Sequence, residues 1–228
     1  QGSPSLTSIT TNSPICEGED AVFTLTGSNG ATVTYTIDGG AAQTVVLDGT
    51  TGIATIAVPG VVPSVTIDIS EISFGNCQDT LSDSATVLVN PKPEITSLTG
   101  VTPICEGEDA VFTLEGTPEA TVSYTINGGA TETVVLDATG IATVTIAGAT
   151  VDQTIALTQI VGTNTCQEDL TNTFTVVVNP NPEFTSLTAV TPICEDEDAV
   201  FTLEGTPDAT VSYTLNGGAT QTIVLDAS

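Results

Sequence analysis

Apolar and polar residues alternate along most of this chain, which is the pattern of β-strands with one buried face. The segments AVFTLTG, ATVTYTID, QTVVLD, GIATIAV, SVTIDIS and SATVLV follow one another from Ala21 onward, and they are rich in Val, Ile, Thr and Tyr. Gly and Asn fall between these segments, in GSNG, DGG, DGTTG and FGNC, where they favour tight reversals of the chain. No stretch shows the apolar period of a helix. The pattern therefore predicts an all-β fold.

The strand pattern recurs with a fixed period, which indicates a tandem array. Cys16, Cys105 and Cys194 are evenly spaced, since 105 − 16 and 194 − 105 both equal 89, and Cys77 and Cys166 keep the same spacing. With SLTSIT as its opening strand, a full repeat holds about seven strands in about 90 residues, which is the size of an immunoglobulin-like sandwich. We therefore predict tandem immunoglobulin-like β-sandwich domains in an extended array, the last one incomplete. The predicted domains are residues 1–90, residues 91–179 and, for the N-terminal half of a third repeat, residues 180–228.

Proline-rich segments mark the joints between these domains. VNPKPEITSLT follows the first repeat and VNPNPEFTSLT follows the second. Proline fixes φ and lacks a backbone donor, so each strand ladder ends there and the linker is short and semi-rigid. The third repeat reaches only TIVLDAS, so its missing strands are expected either from its own chain beyond residue 228 or from a neighbouring chain.

The charge of the chain excludes several classes of function. It carries 28 acidic residues and one basic residue, a formal charge of −27, and it has no histidine. A single lysine cannot replace the counterions of a nucleic acid, and an anionic membrane surface repels such a chain. Histidine-based catalysis and histidine metal sites are absent by composition. With 4% aromatic residues and no Trp, paired carboxylates of a glycosidase are not expected either. We predict no enzyme activity, no nucleic acid partner and no membrane insertion.

The five cysteines allow two disulfide patterns. In the first, each repeat closes its own bridge, Cys16 with Cys77 and Cys105 with Cys166, and Cys194 finds its partner beyond residue 228. In the second, Cys16 pairs with Cys166 of the next repeat, head to tail. The first is favoured because domains that carry their own bridge can be multiplied freely, although the two turns that hold Cys16 and Cys77 belong to opposite poles of an alternating sandwich. Free core thiols are the third alternative. Either disulfide pattern predicts an extracellular protein.

An acidic loop accompanies the first cysteine of every repeat, in CEGED, CEGED and CEDED. Several carboxylates in one loop offer oxygen ligands for Ca²⁺, although the spacing matches no EF-hand. The alternative is a solvated acidic loop whose charge keeps neighbouring arrays apart. The candidate calcium ligands are Glu17, Glu19, Asp20, Glu106, Glu108, Asp109, Glu195, Asp196, Glu197 and Asp198.

The motifs PICEGEDAVFTLTG, TVTYTIDGG, TTGIATIAV, GNCQDT and ATVLVNP together resemble the immunoglobulin-like repeats of large cell-surface and secreted adhesins of Bacteroidetes, including those of gliding motility. The resemblance covers essentially the whole chain. It implies export by the type IX secretion route and a role as the stalk or filament that carries an adhesive tip. It also implies O-glycosylation at Asp-Ser/Thr motifs, for which Thr80 and Ser84 are the candidates.

The sequence thus predicts an extracellular structural or adhesive repeat region. Its expected partners are neighbouring repeats, other copies in a filament, and surfaces or polysaccharide. Two alternatives stay open. One is a filament subunit completed by strands of a neighbouring chain, and the other is a carbohydrate-binding accessory module of a secreted enzyme. No cofactor is expected, since the solvated acidic loop is favoured over calcium binding, and calcium is the one candidate.

Overall fold

In the computed structural model, which describes residues 2–227, the regular elements are all β-strands. A helix long and apolar enough to cross a bilayer does not occur in that range. The all-β prediction is therefore confirmed, and the sheets described below are those of immunoglobulin-like sandwiches. Each copy also carries a cis peptide bond before the proline that precedes its first cysteine, at Pro14, Pro103 and Pro192.

The first repeat contains ten strands, two of which are short bridges. They are β1 (Leu6–Thr11), β2 (Ile15–Cys16), β3 (Ala21–Gly27), β4 (Thr32–Ile37), β5 (Gln43–Val46), β6 (Ile53–Val58), β7 (Val65–Phe74), β8 (Cys77–Thr80), β9 (Ser84–Val87) and β10 (Val89–Asn90). One sheet has the order β1–β3–β6, and the other has the order β5–β4–β7–β8, with β9 also paired to β7. The pairs within both sheets are antiparallel, whereas β10 and β2 pair in parallel.

The second repeat has the same ten strands in the same order. They are β11 (Ile95–Gly100), β12 (Ile104–Cys105), β13 (Ala110–Gly116), β14 (Thr121–Ile126), β15 (Glu132–Val135), β16 (Ile141–Ile146), β17 (Gln153–Val161), β18 (Gln167–Asp169), β19 (Thr173–Val176) and β20 (Val178–Asn179). Its sheets have the orders β11–β13–β16 and β15–β14–β17–β18, with β19 also paired to β17 and β12 paired to β20.

Strand alternation places the same residues in the core of each full repeat. In β3 the side chains of Ala21, Phe23 and Leu25 are buried, while the residues between them are partly exposed. In β13 the side chain of Phe112 is likewise fully buried, and its ring meets the ring of Phe174 edge-on at 6.4 Å between centroids. A period of two puts alternate side chains on one face, so the apolar set faces the opposite sheet.

Up to residue 227 the third repeat shows four strands, β21 (Phe184–Ala189), β22 (Phe201–Gly205), β23 (Thr210–Tyr213) and β24 (Gln221–Val224), arranged as two hairpins. Counterparts of β6, β7 and β9 are not among the described residues. Phe201, the counterpart of the buried Phe23, is 51% exposed. An open apolar groove of about 670 Å³ lies between the hairpins, lined in part by Phe184, Leu203 and Tyr213.

The chain divides into two compact units. The first comprises Gln1–Thr99, Thr113–Thr143 and Ile155–Thr173, and the second comprises Gly100–Phe112, Val144–Thr154 and Phe174–Ser228. The domain boundaries at residues 90 and 179 stay a prediction. Both cysteines of the disulfide described below lie in the first unit.

Candidate functional site

The first cysteine of each repeat lies in a loop that we call the head loop, residues 14–20 in the first repeat. Ile15 and Cys16 form β2, which runs parallel to β10. The backbone N–H of Glu17 donates to the carbonyl of Asn90, with 2.9 Å between the two atoms. Since Asn90 is the last residue before the proline linker, these contacts hold Cys16 beside the chain that leads into the second repeat.

Two carboxylates of the head loop accept hydrogen bonds from backbone N–H groups, one within the loop and one in the turn after β6. Glu19 Oε2 accepts a hydrogen bond from the backbone N–H of Cys16 at 2.8 Å. Asp20 Oδ1 accepts one from the N–H of Gly60 at 2.9 Å, which connects the loop to the turn after β6. Gly18 also donates to the carbonyl of Val61 at 2.8 Å. Charged acceptors of backbone N–H groups make strong hydrogen bonds, so this loop has a fixed shape.

The later head loops repeat these contacts. Glu108 accepts from the N–H of Cys105 at 2.7 Å, and Asp109 accepts from Gly148 at 2.9 Å. In the third repeat Glu197 accepts from the N–H of Cys194 at 2.8 Å. The hydrogen bond from the cysteine N–H to the glutamate three residues later is therefore common to all three head loops.

Five of the ten candidate calcium ligands therefore have a structural use that the sequence reasoning missed, namely Glu19, Asp20, Glu108, Asp109 and Glu197. Within residues 2–227, no three or more Cys, Asp or Glu side chains come together in a group that would hold a metal ion. Glu19 and its counterpart Glu108 accept from a backbone N–H of their own loop, whereas Asp20 and its counterpart Asp109 accept from a glycine N–H of a neighbouring turn. Calcium binding by these loops stays a prediction.

The second cysteine of each full repeat lies in a hairpin that we call the tail hairpin, which joins β17 to β18 in the second repeat and β7 to β8 in the first. In the second repeat Gly162 donates to the carbonyl of Cys166 at 2.8 Å, and Asn164 Oδ1 accepts from the N–H of Cys166 at 3.1 Å. Asn164 Nδ2 also donates to the carbonyl of Pro91 at 3.0 Å. The tail hairpin of the second repeat is thus hydrogen-bonded to the linker that follows the first.

A disulfide joins this tail hairpin to the first head loop. Cys16 and Cys166 are bonded, with 5.6 Å between their Cα atoms and a sequence separation of 150. The Cα distance lies in the usual range for a disulfide. Cys166 is 1% exposed. We call the head loop, the linker residues Pro91 and Lys92, and the tail hairpin together the clasp.

The favoured within-repeat pairing, Cys16 with Cys77 and Cys105 with Cys166, is therefore corrected to the head-to-tail alternative. Cys77, Cys105 and Cys194 are free and exposed. The reason is the length of β3. Cys16 precedes the start of this strand, whereas Phe74, which pairs with Cys77, contacts the turn after its end at Gly30. Seven residues of strand span roughly 20 Å, far beyond the reach of a disulfide.

The only lysine of the chain lies inside the clasp. Lys92 Nζ is 2.8 Å from Glu168 Oε2, and both side chains are close to half exposed. The hydrogen bond to Glu168 raises the pKa of Lys92, and the charges of Glu168, Glu17 and Glu19 raise it further. An ion pair this exposed adds little to the free energy of folding. It favours the arrangement in which the tail hairpin lies against the linker.

Two aspartates outside the clasp hold equivalent turns between the sheets. Asp48 Oδ1 accepts from the backbone N–H groups of Thr51 and Thr50, at 2.7 and 2.9 Å, and these bonds lower the pKa of the carboxyl. Asp137 is held in the same way, and its hydrogen bond to the Thr139 hydroxyl is the main cause of its lowered pKa. The hydrogen bonds of both turns stabilise the fold.

The two candidate glycosylation residues lie on the surface of the first repeat. Thr80 ends β8 and Ser84 begins β9, and both side chains are exposed. Their exposure is compatible with modification, which stays a prediction.

The fold and the clasp together define a class: a tandem array of immunoglobulin-like β-sandwiches in which one repeat is covalently tied to the next. No protein family matches the chain, and no curated protein matches it. Among solved structures, it is similar to a marsupial T cell receptor, with 10% identity and a TM-score of 0.48 over 95% of this chain and 91% of that one.

Two further solved structures are similar to the chain. Rst D1-D2 shares 11% identity, with a TM-score of 0.43 over 79% of this chain and 100% of that one. The human OSCAR ligand-binding domain shares 14% identity, with a TM-score of 0.32 over 77% of this chain and 98% of that one. These likenesses are weak, and the fold assignment rests on the strands and sheets described above.

Proposed function

We propose that this chain is a repeat region of an extracellular stalk or filament, which carries an adhesive part of a cell-surface protein away from the cell. The observation that carries the proposal is the Cys16–Cys166 disulfide, which ties the first repeat to the second. Disulfides persist in oxidising, extracellular environments. Many cell-surface proteins are built from β-sandwiches of this class.

The charge of the chain supports the same proposal. A formal charge of −27 keeps neighbouring arrays soluble and apart, while the first repeat buries an apolar core of its own. The proposed stalk consists of sandwiches at residues 1–90 and 91–179 and a third that begins at residue 180. Its proposed origin among Bacteroidetes adhesins exported by the type IX route rests on the sequence motifs quoted above.

Carbohydrate binding by an accessory module is less well supported. A sugar platform needs aromatic faces that are open to solvent. Phe23 and Phe112 are fully buried, and Tyr35 and Tyr124 are each 6% exposed with their hydroxyls bonded to Gln43 and Glu132. These aromatic residues therefore serve the cores of the first two repeats.

A filament in which a neighbouring chain completes the third repeat is the second candidate. The apolar groove of the third repeat, where Phe184, Leu187 and Phe201 are all more than half exposed, is the surface that strands beyond residue 228 or strands of a neighbouring chain would cover. Such a filament would assemble in reductant as well as in oxidant, because strand pairing needs no disulfide. Light scattering of the chain in reductant, over a range of concentrations, tests this candidate.

Electron microscopy of the native protein, with and without reductant, tests the stalk. The proposal expects beaded rods with one bead per repeat, at a spacing of about 40 Å for strands of six to eight residues plus their loops. In reductant the beads should persist and the rods should bend more. Compact particles under both conditions would refute the stalk and direct attention to an accessory role.

A further inference from the structure

We infer that Asn164 is the positioning residue of the clasp disulfide: its side-chain amide holds the tail hairpin on the linker, so that Cys166 lies at Cys16 before the bond forms. The inference goes beyond the proposed stalk, because it concerns how the bond is made and not what the bond is for. It rests on contacts between the tail hairpin of the second repeat and the linker that need no disulfide.

Chain closure alone does not favour the observed pair. Cys166 is separated from Cys105 by 61 residues, since 166 − 105 equals 61, and from Cys16 by 150. In the chain-entropy account the shorter loop closes about four times more readily. Cys166 is nevertheless bonded to Cys16, and Cys105 is free. Contacts of the folded chain must therefore bring Cys16 and Cys166 together.

Three successive residues at the end of the first repeat contact alternate residues of the tail hairpin. The contacts are Asn164 Nδ2 to the Pro91 carbonyl oxygen at 3.0 Å, Cys166 Sγ to the Asn90 carbonyl oxygen at 4.0 Å, and Lys92 Nζ to Glu168 Oε2 at 2.8 Å. The first and the third of these contacts involve no sulfur atom. They can therefore form in the reduced chain and hold the hairpin in place for oxidation.

Asn164 contributes most because its amide bonds in two directions. Its Oδ1 accepts from the backbone N–H of Cys166 at 3.1 Å, while its Nδ2 donates to the carbonyl of Pro91. The residue before Pro91 binds the head loop, since the carbonyl of Asn90 accepts from the N–H of Glu17 at 2.9 Å. The side chain of Asn164 therefore sets the position of the tail cysteine relative to the head loop.

The bond forms by two exchanges with glutathione disulfide as the oxidant. The thiolate of Cys16 attacks one glutathione sulfur and displaces the other glutathione as a thiolate. The thiolate of Cys166 then attacks the Cys16 sulfur and displaces the second glutathione. The protons of the two cysteine thiols pass through solvent to the two glutathione thiolates, so two protein thiols are oxidised and one glutathione disulfide is reduced. Asn164 acts on the second exchange, because it raises the local concentration of Cys166 at Cys16.

The test measures the equilibrium between the full chain and glutathione. The background carries Cys77→Ser, Cys105→Ser and Cys194→Ser, so that Cys16 and Cys166 are its only thiols. The chain is equilibrated in buffers with graded ratios of glutathione disulfide to glutathione. Alkylation of free thiols and intact mass give the bonded fraction, and hence the equilibrium constant for the bond.

The decisive comparison is between two asparagines in the two tail hairpins. Asn164→Ala removes the positioning amide, and Asn76→Ala, in the exposed turn of the first tail hairpin, is the matched control. We expect Asn164→Ala to lower the equilibrium constant about fivefold, the ratio that one hydrogen bond provides, and Asn76→Ala to leave it unchanged. Glu168→Gln should lower it about twofold, because an exposed ion pair contributes less. Equal constants for the two alanine variants would overturn the inference.

Asn164→Asp separates the contact with the linker from the bond within the hairpin. This variant keeps the acceptor for the N–H of Cys166 and loses the donor to the carbonyl of Pro91. In about 1 M salt, where the added charge is screened, we expect it to lose as much as Asn164→Ala. A constant equal to that of the background would mean that Asn164 acts only inside the hairpin, and the inference would fail. The proposed stalk, which depends on the bond itself and is tested by microscopy, would stand in either case.

Discussion

Removal of the clasp disulfide gives the sharpest test of its contribution to stability. In the chain-entropy account, a cross-link with a separation of 150 removes about 17 cal/mol/K from the unfolded chain, or about 5 kcal/mol at 25 °C. Measured values are often smaller than this account gives, so we expect the Cys16→Ser/Cys166→Ser double variant to lose between about 2 and 5 kcal/mol. Urea unfolding followed by far-UV circular dichroism measures the loss.

The matched control is the Cys77→Ser/Cys105→Ser variant, which replaces two exposed thiols and leaves the clasp intact. Surface substitutions of this kind change the free energy of unfolding by less than about 0.5 kcal/mol. The wild-type chain in reductant should unfold like the clasp variant. If the clasp variant and the control unfold at the same urea concentration, the bond does not restrict the unfolded chain and the entropic reasoning fails.

Three further predictions concern the cores and loops. Phe23→Ala should lower the free energy of unfolding by about 3 to 5 kcal/mol in urea unfolding, because its side chain is fully buried. Val46→Ala, at a side chain of the same repeat that is 61% exposed, should cost less than about 1 kcal/mol, and equal costs would contradict the difference in packing. Glu19→Ala should destabilise the head loop by about 1 kcal/mol, because the N–H of Cys16 loses its acceptor, and an unchanged melting temperature would count against this role. The pKa of Asp48 is lowered by its backbone hydrogen bonds, so its stabilising effect is present above the unfolded pKa and lost as the pH falls through the folded pKa. Relative to Asp48→Asn, the wild-type chain should therefore lose stability below about pH 4 in urea titrations, and parallel pH profiles would refute this.

The strands and the core could be predicted from the sequence, because apolar residues at every second position restrict the buried side chains to one face of each strand. Apolar residues at Ala21, Phe23 and Leu25 can lie on one face only, and that face must be covered. Seven strands of this kind in one repeat restrict the fold to a sandwich, which is what the structure has. The third copy keeps the same pattern, yet Phe201 is exposed because no described strand covers it.

The disulfide partner of Cys16 could not be predicted from the sequence, because the two candidate pairings differ little in the free energy that their sequence separations give. Cys16 and Cys77 are separated by 61 residues, since 77 − 16 equals 61, against 150 for Cys16 and Cys166. In the chain-entropy account this difference is worth only about 0.8 kcal/mol. The length of β3 decides the pairing, and that is a property of the folded sandwich.

The sequence reasoning missed that the glutamate of the acidic loop binds the loop's own backbone, although the spacing of cysteine and glutamate is a signal for this contact. Glu19 stands three residues after Cys16 and binds its backbone N–H, as the glutamate of a capping box reaches back to the start of a helix. The same spacing recurs at Glu108 and Glu197. Composition alone reports the charge of such residues and says nothing of which donor each carboxylate faces.

The Cys16–Cys166 bond also determines how a pulling force would travel through this chain. A force applied at the two ends enters at the N-terminal residues, crosses the disulfide at Cys16, and leaves along the chain after Cys166. The intervening segment, most of two repeats, then bears no load. Its extended length is roughly 500 Å at 3.3–3.6 Å per residue, and this length is released only when the bond is reduced. The redox state of one bond would thus set the extensibility of the chain.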